Sequence, residues 1–140
     1  MITTFHFEDI IDGIPLLWKG FVGTVEMALI AIMVSLIIGI VFGVIRFEQR
    51  PYLKPFSWLI GLYVELLRAI PFLLFLFFMH YGVAPLVMAR PSFFTSTVVA
   101  FCLFESAYVA EIIRGGLRSI PRSMINSAKS LGLTFRQRYQ

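Results

Sequence analysis

Three long apolar blocks, parted by short polar or proline-marked breaks, set the pattern along the chain. They run over residues 20–45, 56–81 and 92–113. A helix needs about 20 apolar residues to cross the hydrocarbon core of a bilayer. Each block therefore predicts a membrane-spanning helix, and the fold class expected is all-α transmembrane. Residues 1–19 differ in kind: they hold Glu8, Asp9 and Asp12, and their one basic residue, Lys19, comes last. That is the reverse of a secretory signal peptide, which starts positive. Phe5, Phe7, Ile10, Ile11 and Ile14 with Trp18 predict a short external segment lying in the interface, Trp18 at headgroup level. His6 has no His or Cys at metal-ligand spacing and reads as an interfacial polar residue.

Polar residues inside the blocks carry the candidate chemistry. In the first, Ser35, Gly39 and Gly43 recur every four residues, a small-residue stripe that lets a neighbouring helix come close. The neighbour is either another helix of the same chain or a second subunit. Glu26 near the start of that block reads either as an intramembrane functional carboxylate or as a side chain snorkelling to water. Arg46, Glu48, Arg50, Pro51, Lys54 and Pro55 then form a short basic turn. The second block contains Glu65 and Arg68, three apart on one helical face and expected to pair. Unpaired, either would cost ~2.5–3.5 kcal/mol at mid-bilayer. The pair either staples two helices near the boundary or belongs to a hinge or translocation path. Pro71 follows, freeing a carbonyl about one turn earlier, near Leu67.

Residues 80–91, with Gly82, Pro85 and Pro91, predict an external loop containing a short re-entrant stretch at Val83 to Met88, and His80 reads as interfacial. The third block carries Glu105 and Glu111 with Tyr108 between them. Glu111 is placed to pair with Arg114 three residues on, and it reads either as a boundary salt bridge or, with Tyr108, as an intramembrane polar residue of a translocation path. Glu105 has no basic residue within four positions, so it must meet a partner on another helix, a water-filled cavity or a proton. It is the leading candidate to line a path.

Residues 114–140 form a different unit. Pro121 cannot continue a helix, and Ser123 is the expected N-cap of a new one. Met124, Ile125, Ala128 and Leu131 fall on one face of a helix over 124–131, with Asn126, Ser127, Lys129 and Ser130 opposite. Gly132 is placed to close it in the left-handed conformation, with Leu133 folding back on Ala128. At roughly 1.5 Å per residue such a helix is about 12 Å long, too short to span a bilayer or to be stable alone. Thr134 and Gln137 have the spacing of a capping box.

Composition and charge then narrow the class. The chain is 59% hydrophobic and 14% charged, against ~25% charged for a soluble domain. Its net charge of +4 lies beside the apolar blocks rather than in a separate basic domain, so nucleic acid is not the expected partner. Arg46, Arg50 and Lys54 share one side with Arg114, Arg118, Arg122, Lys129, Arg136 and Arg138, while Lys19 and Arg90 lie on the other. The positive-inside rule then predicts three spans, N-terminus out and C-terminus in. Arg114, Arg118 and Arg122 are expected to rest at anionic headgroups of the lipid bilayer, ~1 kcal/mol each. No G-x-x-x-x-G-K-[ST] loop, Ser-His-Asp set or metal cluster is present, so neither catalysis nor a cofactor is expected on this chain.

The run Ser106-Ala107-Tyr108-Val109-Ala110-Glu111-Ile112-Ile113-Arg114-Gly115-Gly116, then Ser119-Ile120-Pro121, Ala128 and Leu131-Gly132-Leu133, resembles the EAA loop of bacterial ABC importer permeases. The likeness is to the polar amino-acid family: histidine, glutamine, arginine and opine permeases. Tyr63, Glu65, Arg68 and Pro71 are similar to a second motif of that family, with Ala69 and Ile70 in place of its Gly-Thr. The resemblance implies an inner-membrane permease subunit working with a second permease subunit, as a homo- or heterodimer. A periplasmic solute-binding protein would deliver a polar amino acid, and ATP and Mg would sit on a separate ATPase subunit. The segment holding Met124, Ile125, Asn126, Ser127, Ala128, Leu131 and Gly132 would dock on that ATPase and couple it to translocation. Where the family has Glu-Ala-Ala this chain reads Asn126-Ser127-Ala128. A charge expected at the third helical position is thus missing, which weakens the cap by a few tenths to ~1 kcal/mol. Family members continue into further spans, so the expectation is a C-terminally truncated permease. The alternatives are a non-transporting membrane remnant, or a small anchor or channel protein.

Overall fold

A single helix, α1, runs unbroken from Phe7 to Phe47 with Pro15 inside it. The computed structural model describes residues 7–48, 51–87, 90, 92–134 and 137, with side chains from Gly13 onward except that of Arg122. The expectations for Phe5 and His6, for the side chains of Phe7, Ile10, Ile11 and Arg122, and for Arg50, Arg136 and Arg138 lie outside that set. Sequence reading divides residues 1–19 from a span beginning at Gly20, but the helix runs across both without a break, through Pro15. Gly20 and Gly23 meet no neighbour, and Trp18 stays on the helix surface with its ring centroid 5.7 Å from that of Phe21. The apolar part, Gly13–Phe47, has 35 residues. At 1.5 Å each it is roughly 50 Å long, well beyond the ~30 Å core, so it tilts or projects.

A short 3₁₀ turn, Pro51–Leu53, leads into α2, Lys54–Ala69. The second apolar block is not one rod. Ile70 is extended (φ −99°, ψ 138°) because the ring of a following proline disfavours the helical conformation, and Pro71 is extended at ψ 132°. Helix α3 starts at Phe72 and ends at Phe77. It continues through a π-helical stretch, Phe78–Val83, into α4, Ala84–Val87. The two halves meet at a bend of 110°. Much of the external loop expected from residue 80 is therefore helical.

Helix α5, Phe93–Arg118, extends past the expected end at Ile113 and takes Gly115 and Gly116 into its last turns. Glycine weakens a helix without ending it; the stop comes just ahead of Pro121. Helix α6 covers Arg122–Ser130. Among the described residues there is no strand. Among the same residues two helices are long and apolar enough to cross a membrane, three if the bent pair counts as one span. The fold is all-α transmembrane.

Helix α5 is the centre of the packing. Val64 and Leu67 of α2, Phe75 and Leu76 of α3 and Ala100, Phe104, Ala107 and Ala110 of α5 form the core. Phe72 holds the bend against α5, its ring centroid 4.4 Å from Phe101 and 5.0 Å from Phe104. On the other side α1 lies against α5 through its small-residue stripe. A Cβ on Gly39 would fall 2.5 Å from Val109 Cβ, and one on Gly43 2.8 Å from the Ala110 carbonyl. The stripe serves packing within one chain.

Candidate functional site

Glu111 brings the basic ends of α1, α2 and α5 together. Its Oε2 accepts from Arg46 Nη1 of α1 at 2.7 Å and from Arg114 Nε of α5 at 3.2 Å. Its Oε1 is bound by Arg114 Nη2. Arg68 Nη1 of α2 lies 3.8 Å from Oε2. The expected Glu111–Arg114 pair is present, but as one part of a three-helix cluster. Arg46 is the buried member, its side chain 9% exposed, and it lies over Gly61, where a Cβ would be in ordinary contact with the guanidinium at 3.5 Å. Charge-assisted bonds to a desolvated arginine are the strong kind, so the cluster clamps the three helices at one end.

Glu65 and Arg68 do not pair with each other. Arg68 turns toward Glu111 and the ring of Tyr108, its guanidinium carbon 5.7 Å from the ring centroid. Glu65 is largely in solvent, 76% exposed, and reaches Arg46 at 3.8 Å. The physical reason is competition: tertiary partners arrive from α1 and α5 in a less solvated position than a same-face neighbour offers. One turn from Arg68, Tyr63 donates its hydroxyl hydrogen to the Leu103 carbonyl at 2.6 Å and lies 2.8 Å from Ser106 Oγ. Ser106 is fully buried and itself donates to Leu103 O at 2.8 Å. This polar node fastens α2 to α5 beside the clamp.

The Glu105 side chain is exposed and has no ion pair or hydrogen bond among the described residues. It shares an open face of α5 with Tyr108 and Ile112, three and seven positions on. At the opposite end of α5 from the clamp, His80 in the π-helical stretch lies 3.1 Å from Ser96 Oγ, between the rings of Tyr81 and Phe93.

Helix α6 starts earlier than the expected cap. Pro121, extended at ψ 136°, is the N-cap. Its carbonyl accepts from the N–H groups of Met124 at 3.0 Å and Ile125 at 3.3 Å. Ser123 is already inside the first turn and makes no side-chain cap. The third helical position is thus Met124, and Asn126 lies further in, so the capping role expected of a residue at 126 does not arise. At the far end Gly132 is left-handed at φ 74°. Leu133 N–H donates to Ala128 O at 3.1 Å and Gly132 N–H to Lys129 O at 3.0 Å, a complete Schellman closure. Beyond it, Thr134 N–H donates to Gln137 Oε1 at 3.0 Å, half of the expected capping box. The Thr134 hydroxyl instead donates to the same oxygen at 2.8 Å.

The apolar side of α6 has few neighbours. Met124 is 64% and Leu131 79% exposed, while Ile125 and Ala128 are half-buried and Asn126 and Ser127 exposed. Ser119, the C-cap of α5, ties its N–H to the Gly115 carbonyl at 3.0 Å, and the three residues Ser119–Pro121 form the bend before α6. Arg118 lies in the last turn of α5 and Arg114 one turn earlier. Arg46 is the residue that local reading missed as a site: its partner Glu111 is 65 positions away, and no periodicity links them.

The family described as "Binding-protein-dependent transport system inner membrane component" matches residues 35–139. The probable glutamine ABC transporter permease protein GlnP of Bacillus subtilis (strain 168) is 36% identical over 126 residues, 90% of this chain and 56% of that protein. The arginine transport system permease protein ArtQ of the same organism is 30% identical over 129 residues, 92% and 58% respectively. The glutamate/aspartate import permease protein GltJ of Escherichia coli (strain K12) is 32% identical over 137 residues, 89% and 54%. A solved structure, "Crystal structure of an amino acid ABC transporter with histidines", superposes with a TM-score of 0.83 at 28% identity, over 99% of this chain and 63% of its own. The chain spans a little over half the length of these curated relatives.

Proposed function

The chain belongs to the family of binding-protein-dependent transport system inner membrane components, and from that premise we propose that it is the permease component of an ATP-driven uptake system for polar amino acids. Its relatives carry permease names for glutamine, arginine and glutamate/aspartate. In this reading ATP and Mg belong to a separate ATPase subunit, a second permease subunit completes the pore, and a periplasmic binding protein delivers the amino acid. The N-terminus faces the periplasm and the C-terminus the cytoplasm, as the distribution of basic residues favours.

One observation carries the proposal: a short, well-closed helix, α6, projects an exposed Met124 and Leu131 directly after the clamped end of α5. A nine-residue helix gains little stability by itself, so its exposed apolar residues serve best as a docking surface. The ATPase holds α6; movement of the ATPase pushes it against the end of α5 through the bend at Ser119–Pro121. Because Glu111 joins α5 to Arg46 and Arg68, the push is shared with α1 and α2. Arg114, Arg118 and Arg122 keep the bend at headgroup depth. Glu105 and Tyr108, on the open face of α5, line the path or meet the second subunit.

The test is to co-express the full chain with an ATPase subunit of an amino-acid importer and to copurify the two. Ala128→Glu puts a charge on the docking side of α6. It is expected to abolish copurification while the protein still fractionates with the membrane. Copurification at the unsubstituted level would overturn the docking role of α6.

A further inference from the structure

An open cleft of about 630 Å³ lies at the basic end of the bundle, walled by the end of α1, by α2 from Lys54 to Glu65 and by the end of α5; four cations, Arg46, Lys54, Arg114 and Arg118, line it against two carboxylates, Glu48 and Glu65. Two of its cations, Arg46 and Arg114, are already committed to Glu111. Two others, Lys54 and Arg118, line the cleft, are exposed, and have no carboxylate partner among the described residues. Along α2 the lining changes in a definite order. Lys54, Trp58 and Leu62, each four residues from the last and so on one helix face, pass from charge to indole to aliphatic chain. Trp58 is 70% exposed.

We propose that this cleft is a binding site for the phosphate diester of an anionic phospholipid. Lys54 and Arg118 hold the phosphate, and Trp58 and Leu62 lie against the glycerol and the upper acyl chain. Basic clefts between membrane helices are suited to lipid headgroups by charge, and an indole settles at the boundary between headgroup and hydrocarbon. A free phosphate ion offers the same charge but fills a small part of the volume and has no use for the apolar wall. An acidic side chain of a protein partner likewise leaves Trp58 and Leu62 without a contact.

The experiment uses the full chain in phosphatidylcholine vesicles. Trp18→Phe makes Trp58 the sole tryptophan, since the chain has two. Trp58 fluorescence is then quenched with phosphatidylglycerol or phosphatidylcholine brominated in the acyl chains, at matched ionic strength. Phosphatidylglycerol is expected to quench at a several-fold lower mole fraction. Lys54→Gln and Arg118→Gln are each expected to cut that preference about fivefold, whereas Lys54→Arg retains it. Lys129→Gln, which removes an equal charge from α6, leaves it unchanged. Equal quenching by the two lipids overturns the proposal. A loss in Lys129→Gln as large as in Lys54→Gln overturns it in favour of diffuse surface attraction. Loss of the preference on adding millimolar inorganic phosphate at constant ionic strength overturns it in favour of a soluble anion.

Discussion

At the scale of single residues, the clamp turns on one carboxylate. Arg46 is almost wholly withdrawn from solvent, and Glu111, 23% exposed, is its shortest ionic contact. Removing one member of a buried pair leaves the other charged and unsolvated, which costs about 3–5 kcal/mol. Glu111→Gln is therefore expected to destabilise the protein by about 3 kcal/mol, read as a shift of the unfolding midpoint in mixed detergent–SDS micelles. Glu65 touches the same arginine from a solvated position, so Glu65→Gln is expected to cost under about 1 kcal/mol. Equal effects of the two substitutions would show that Glu111 is not the centre of the cluster. Spacing alone made the Glu111–Arg114 contact legible, because both lie on one helix three residues apart. It pointed just as firmly to a Glu65–Arg68 pair that tertiary partners displace. The rule of three and four residues names a possibility on an isolated helix; α1 and α5 decide which possibilities survive.

Elements follow the same division between local and distant causes. Gly132 at the end of α6 and the stop before Pro121 are local, and both were readable from residue type. The N-cap lies two residues before the expected Ser123, because an extended proline carbonyl starts the helix without help from the Ser123 hydroxyl. The small-residue stripe of α1 announced a close neighbour, yet only the structure shows that neighbour to be α5. Pro71 signalled a perturbed span, while the size of the perturbation depends on Phe72 lodging against Phe101 and Phe104. Replacing Pro71 by Ala lifts the restriction on Ile70 and restores a backbone donor. Spin labels at Trp58 and Leu86, both exposed on the two arms, are expected to move apart as the 110° bend opens. An unchanged distance would mean that the aromatic contacts, not the proline, set the angle.

Across the whole molecule, block length and the clustering of arginines carried most of what could be read beforehand. Hydrophobic length is additive along the chain, so a span declares itself without knowledge of its neighbours. The continuous passage of α1 through Pro15 does not declare itself, since a proline ordinarily kinks or breaks a helix and here the helix runs on across it. Orientation is open to direct measurement. Cys102 is the sole cysteine and is buried, so Cys102→Ser gives a blank background. Tyr81→Cys lies near the start of α5 and Ser130→Cys beyond its end. A membrane-impermeant maleimide is expected to label the first in intact spheroplasts and the second only after permeabilisation. The opposite pattern would invert the topology and with it the docking side.

The shared carboxylate at Glu111 has a mechanical corollary. Three rods pinned through a single rivet cannot be pried apart one by one: either they swing as a rigid tripod, or the rivet shears and all are released together. Strain fed in at that end is consequently delivered whole to the far side of the bundle, where the kinked arm beyond Pro71 is the joint left to yield.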